Sequence, residues 1–113
     1  MKYSQFEELP VWKAAIEFAL KLFEFTNKAD FRGFGDTKNQ LERATVSISN
    51  NIAEGFERGT NNELLAFLYI ARGSSGEVRS MCCLCDRLPD FVGFAVFSAK
   101  LHATDTESAR RRS

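Results

Sequence analysis

The residues best suited to chemistry in this chain fall into small groups, and each group lacks a member that its chemistry requires. His102 is the only histidine among 113 residues, so one chain assembles neither a Ser-His-Asp triad nor a two-histidine metal site. Cys82, Cys83 and Cys85 lie within four positions. A tetrahedral zinc site would need a second cysteine pair, which the chain does not contain. Cys82 and Cys85 instead fall on an apolar helical seam from which Cys83 points away, the placement of core thiols. Thiols so close in sequence staple no distant parts of a fold, and a reduced state fits them best. Gly73-Ser74-Ser75-Gly76 looks like a nucleophile loop, yet a nucleophile elbow needs a preceding strand and a G-x-S-x-G spacing. Glu54-Gly55-Phe56-Glu57-Arg58-Gly59 lacks the Lys-Ser/Thr of a phosphate-binding loop and reads as a helix exit. No catalytic set, metal site or cofactor is expected, and the chain reads as a non-enzyme.

One polar constellation needs a partner. Arg43, Ser47, Asn50 or Asn51, Glu54 and Arg58 recur every three or four residues, and Glu77 interrupts an apolar seam further on. A carboxylate facing a packed seam must be paired, because an isolated buried charge costs several kcal/mol. The expected answer is a structural polar network of Arg43, Asn51, Glu54 and Glu77 that fixes helix register or a subunit contact.

Those residues must be positioned by helices. From Pro10 to Lys28 the charged residues Lys13, Glu17, Lys21, Glu24 and Lys28 form one narrow stripe of alternating sign. The rest of that circumference is apolar, including Trp12, Phe18 and Phe25, so this helix is expected to pack on at least two sides. Gly33 and Gly35 mark a loop. Thr37 and Gln40 have the capping-box spacing that places a second helix at about 37–57, with Leu41, Ala44, Ile48 and Ile52 as its buried stripe.

Thr60 and Glu63 repeat that spacing and open a third helix at about 61–87. It carries two seams. One runs through Leu64, Leu68, Ala71, Ser75, Val78, Cys82 and Cys85, the other through Phe67, Ile70, Ser74, Glu77, Met81, Leu84 and Leu88, so two partners are expected. The small run from Ala71 to Gly76 costs roughly 1 kcal/mol of helix propensity per glycine and is expected to admit a neighbouring helix backbone. Pro89 stops this helix, and a fourth is expected at about 95–111. Four helices with short connections and no strand signal predict one all-α domain, an antiparallel up-down-up-down bundle spanning 1–113.

Acidic and basic residues balance at 15 each, which leaves no long-range field to collect polyanions. Arg110, Arg111 and Arg112 close the chain as a short basic tail. No stretch reaches the roughly 20 apolar residues of a membrane span, and the first residues lack the order of a secretory signal. A cytoplasmic protein is expected. Eleven phenylalanines are a large apolar load for so short a chain, and a homo-oligomer would hide it.

The stretch Gln40-Leu41-Glu42-Arg43-Ala44-Thr45-Val46-Ser47-Ile48-Ser49-Asn50-Asn51-Ile52-Ala53-Glu54-Gly55, followed by Phe67-Leu68-Tyr69-Ile70-Ala71-Arg72-Gly73-Ser74 and Glu77, resembles the bacterial four-helix-bundle family encoded in intervening sequences of 23S ribosomal RNA genes. Phe6, Leu9, Trp12 and Ala15 also match. The last quarter departs from the family's longer, leucine-rich fourth helix. The resemblance implies a homopentamer, a barrel of five bundles around a central opening. A related group, the accessory variability proteins of diversity-generating retroelements, is strongly basic and binds nucleic acid and a reverse transcriptase, whereas this chain is charge-neutral.

Two functional expectations follow. The first is a scaffold or interaction module held together through Trp12, Phe18, Phe25, Phe67, Ile70, Met81 and Leu84, engaging an unidentified protein partner. The second is an RNA- or DNA-binding ring whose contacts are Arg58, Arg72, Arg79, Arg110, Arg111 and Arg112, a weak patch multiplied by symmetry.

Overall fold

The computed structural model describes residues 2–29 and 31–88. Three helices form: α1 over Pro10–Lys28, α2 over Gly35–Glu57 and α3 over Asn61–Arg87, preceded by a single 3-10 turn at Phe6–Glu8. No strand occurs among the described residues. The fourth helix expected at about 95–111, with His102 and the terminal arginines, lies outside them.

Each helix start has a local cause. Pro10 occupies the first turn of α1, where its missing N–H is no loss. Helix α2 starts two residues before Thr37, and no side-chain hydrogen bond caps it. The Thr37–Gln40 capping box expected there is therefore replaced by a backbone turn. Gly33 adopts φ +82°, the Phe34 N–H donates to the Phe31 carbonyl at 2.7 Å, and the Phe34 carbonyl accepts from Lys38 N–H at 3.0 Å. Phe31 is buried, and Phe34 packs against the same core cluster, so tertiary anchoring sets this start.

At α3 the threonine cap is present. The Thr60 hydroxyl oxygen accepts from Glu63 N–H at 3.2 Å, and the hydroxyl donates to the Glu63 carboxylate at 2.8 Å. Between α2 and α3 the chain reverses at Gly59, φ +88°, a conformation that glycine adopts without a Cβ penalty.

Helix α2 is the middle element. It packs antiparallel to both neighbours: Ser47 meets Ser74 and Gly55 meets Phe67 of α3, while Glu42 meets Thr26 of α1. No Cα of α1 comes within 8 Å of one in α3. One core cluster gathers Leu22, Phe31, Leu41, Ala44, Val78, Met81, Cys82 and Cys85. The other gathers Leu9, Ala15, Ile52 and Ala71, with Trp12 and Phe6 edge-to-face at 5.3 Å. Ile48 packs against both. Each buried leucine contributes about 1.5–3 kcal/mol through its removal from water.

Among the described residues only one of the two partners expected for α3 is present. Met81 is buried and Phe67 partly so, but Ile70, Glu77 and Leu84 of the same seam are exposed, as is Ser75 of the other, because among the described helices only α2 brings a Cα within 8 Å of α3. The close helix approach expected at Gly73 and Gly76 is not made by any described residue, and one is made instead at Gly55. A Cβ at either would meet nothing within 4 Å, whereas one at Gly55 would lie 2.5 Å from Phe67 Cβ.

Candidate functional site

Helix α2 divides its residues between two environments. Leu41, Ala44, Ile52 and Gly55 turn inward and are buried. Arg43, Ser47, Asn50, Asn51 and Glu54, interleaved with them at helical spacing, line an open groove of about 640 Å³ together with Phe23, Asn39, Glu42 and Val46. The groove thus runs along the polar face of α2, with Phe23 supplied by α1.

Its polar side chains are partly tied down. Asn51 Nδ2 donates to the Ser47 carbonyl at 2.8 Å and to Ser47 Oγ at 3.0 Å. Ser47 Oγ lies 2.9 Å from Ser74 Oγ on α3, which locks the register of the two helices. On the other wall, the buried Thr26 hydroxyl donates to Glu42 at 2.6 Å, and Lys38 Nζ stands 3.5 Å from the same carboxylate. At the far end Arg58 pairs with Glu54 at 3.2 Å and lies over the Phe67 ring at 5.2 Å.

Of the expected network, Arg43, Asn51 and Glu54 share the groove, and Glu77 does not join them. Neither Arg43 nor Glu77 forms an ion pair or side-chain hydrogen bond with a described residue. The link across α2 and α3 is Ser47–Ser74, which sequence reasoning missed. Its signal was present, since Ser74 is a hydroxyl within an apolar seam. Of the expected nucleic-acid contacts, Arg72 and Arg79 are exposed on α3, two turns apart on one side, while Arg58 sits at the groove's end. Arg110, Arg111 and Arg112 fall outside the described residues.

The groove offers hydrogen-bond donors and carboxylates but no clustered metal ligands, and no such cluster occurs among the described residues. The cysteines stand apart from it. Burial, then the neighbouring Cys85 and Cys83, push the Cys82 thiol up to about 12, and burial also raises Cys85. Such thiols are protonated and unreactive at neutral pH. A raised folded pKa means that the native chain holds its proton after the unfolded chain has lost it. Stability is therefore expected to fall as pH rises from about 9 towards 12, at up to ~1.4 kcal/mol per pH unit from this group. Urea denaturation across that range checks it: Cys82→Ala should show a shallower decline than the parent chain, and equal slopes refute the assignment.

No helix among the described residues is long and apolar enough to cross a membrane. No match is found among curated proteins or among solved structures. The signature from Gln40 to Gly55 thus has a physical division of labour, its apolar members building the α2 core face and its polar members the groove. With the family model of the 23S rRNA-intervening sequence protein matching residues 7–90, the chain belongs to that family.

Proposed function

We propose that this protein is a non-enzymatic subunit of a homo-oligomer, a helical scaffold or interaction module whose surfaces engage a further macromolecule. The observation that carries this reading is the apolar surface that the described residues leave uncovered. Val11 and Leu20 on α1 and Leu65, Tyr69, Ile70 and Leu84 on α3 are about half or more exposed. Among the described phenylalanines only Phe31 is buried. The four on α3 fall on one side of that helix, and exposed apolar surface gathered in this way marks association rather than ordinary surface scatter. The four-helix bundle and homopentamer implied by the family belong to this proposal. Light scattering after size exclusion tests it: the expected mass at micromolar concentration is a multiple of the subunit mass, and a subunit-sized species overturns it.

A second reading, RNA or DNA binding, draws support from Arg72 and Arg79 on one side of α3 with the exposed Tyr69 nearby. Stacking on tyrosine beside arginine is a sequence-tolerant way to hold single strands. Gel shift of structured and single-stranded RNA at low salt should then show binding that weakens steeply with added salt; no shift at low salt removes this reading.

A further inference from the structure

The most exposed of the large apolar residues is Leu20, at 67%, on the outward side of α1 and flanked by Glu17 and Glu24. Those two carboxylates are seven positions apart. On the outward side of α3 Arg72 and Arg79, both exposed, are likewise seven positions apart. Beside the arginines runs a shallow stripe of Tyr69, Gly73, Gly76 and Ser80, all exposed. Its alternating steps of four and three make one continuous seam, of the kind along which two helices pack. Nothing lies within 4 Å of where a Cβ would stand at Gly73 or Gly76, so no described residue fills the stripe there. Two glycines inside an exposed helix cost roughly 1 kcal/mol each, and no contact among the described residues offsets that.

We propose that Leu20 of one copy seats over the two glycines of this stripe on the next, with α1 of the first running parallel to α3 of the second. Direction follows from the flanks. In a parallel pair the side of α1 bearing Glu17 and Glu24 meets the side of α3 bearing Arg72 and Arg79, and the opposite flank sets Ile16 near the exposed Ile70. An antiparallel pair would bring Glu17 and Glu24 against Ile70, Glu77 and Leu84, leaving the carboxylates facing apolar groups and a like charge. The parallel register sets Glu17 opposite Arg72 and Glu24 opposite Arg79. Glu24 then exchanges its exposed partner Lys28, 2.8 Å away within the chain, and Arg79 exchanges the interaction it already makes within the chain. Two different faces are used, so the contact is heterologous and closes into a ring when its rotation divides a full turn.

This interface rests on the homo-oligomer reading, and charge reversal on the full chain separates the two. The double variants Arg72→Glu/Arg79→Glu and Glu17→Arg/Glu24→Arg are each expected to raise the dissociation constant on the order of tenfold or more, read by light scattering over a dilution series. The quadruple variant, with both sets reversed, should regain the parent mass. All four positions are exposed, and circular dichroism confirms that each variant folds. An oligomeric parent whose mass is unmoved by either double variant overturns the interface but not the oligomer. A monomeric parent overturns both, and in that case loss of stability in Leu20→Glu assigns the face to residues 89–113 of the same chain. RNA binding lost in Arg72→Glu/Arg79→Glu with assembly intact also overturns the proposal, giving the arginines to nucleic acid.

Discussion

Replacing Gly55 with alanine is expected to destabilise the folded chain by about 1–3 kcal/mol, read as a lower urea midpoint with an unchanged slope. The usual effect of this substitution inside a helix is the reverse, because alanine has the better propensity by roughly 1 kcal/mol. At Gly55 the added Cβ would lie 2.5 Å from Phe67 Cβ and 3.3 Å from Leu64 Cα. Neither atom is the far end of a flexible side chain. Relief therefore requires α3 to move away from α2, which loosens the Ser47–Ser74 contact and the packing of Ala71 and Ile52. Gly76, whose Cβ would meet nothing, provides the contrast: in the isolated chain Gly76→Ala is expected to gain about 0.5–1 kcal/mol. Opposite signs at these two glycines are the expected result, and stabilisation at both would refute the close packing at Gly55.

The largest loss is expected from Leu41→Ala, about 2–5 kcal/mol. Leu41 is completely buried and shares a cluster with Leu22 of α1 and with Val78, Cys82 and Cys85 of α3. Truncation removes transfer energy and leaves a cavity that three helices would have to collapse together. Thr45 directly beneath it is also buried, its hydroxyl donating to the Leu41 carbonyl at 2.8 Å, so the backbone there has little freedom to adjust. By comparison Leu84, about half exposed, should lose under ~0.5 kcal/mol in the isolated chain when truncated. Thermal or urea unfolding measures both, and similar losses at the two positions would show that Leu41 is not central to the core.

Much of this architecture was legible wherever a few neighbouring residues settle the matter. Pro10 opens α1, Thr60 caps α3, and the step of three and four through Leu41, Ala44, Ile48 and Ile52 marks the face that α2 buries. Failures arose where the deciding contact is distant in sequence. The run from Glu54 to Gly59 reads as a helix exit, and α2 does end at Glu57, but the packing of Gly55 on Phe67 has no local signal. Glu77 looks obliged to pair because its seam is apolar, but whether a seam is covered depends on which elements reach it, and none of the described elements covers that side of α3. Thr37 has the spacing of a cap, yet the burial of Phe31 and contact of Phe34 with the core fix the start of α2 earlier. For the groove, the recurrence of Arg43, Ser47, Asn51 and Glu54 was visible as a stripe, while the hydroxyl that Ser47 meets lies 27 residues away and no local pattern specifies it.

Because α1 and α3 are connected through α2 and not through each other, two successive packings decide the angle between their outward surfaces. In any closed ring that uses those surfaces head to tail, that angle is the exterior angle of a polygon, and its size dictates how many copies complete the circuit. Side chains along the middle helix, buried far from any neighbouring subunit, would then govern stoichiometry.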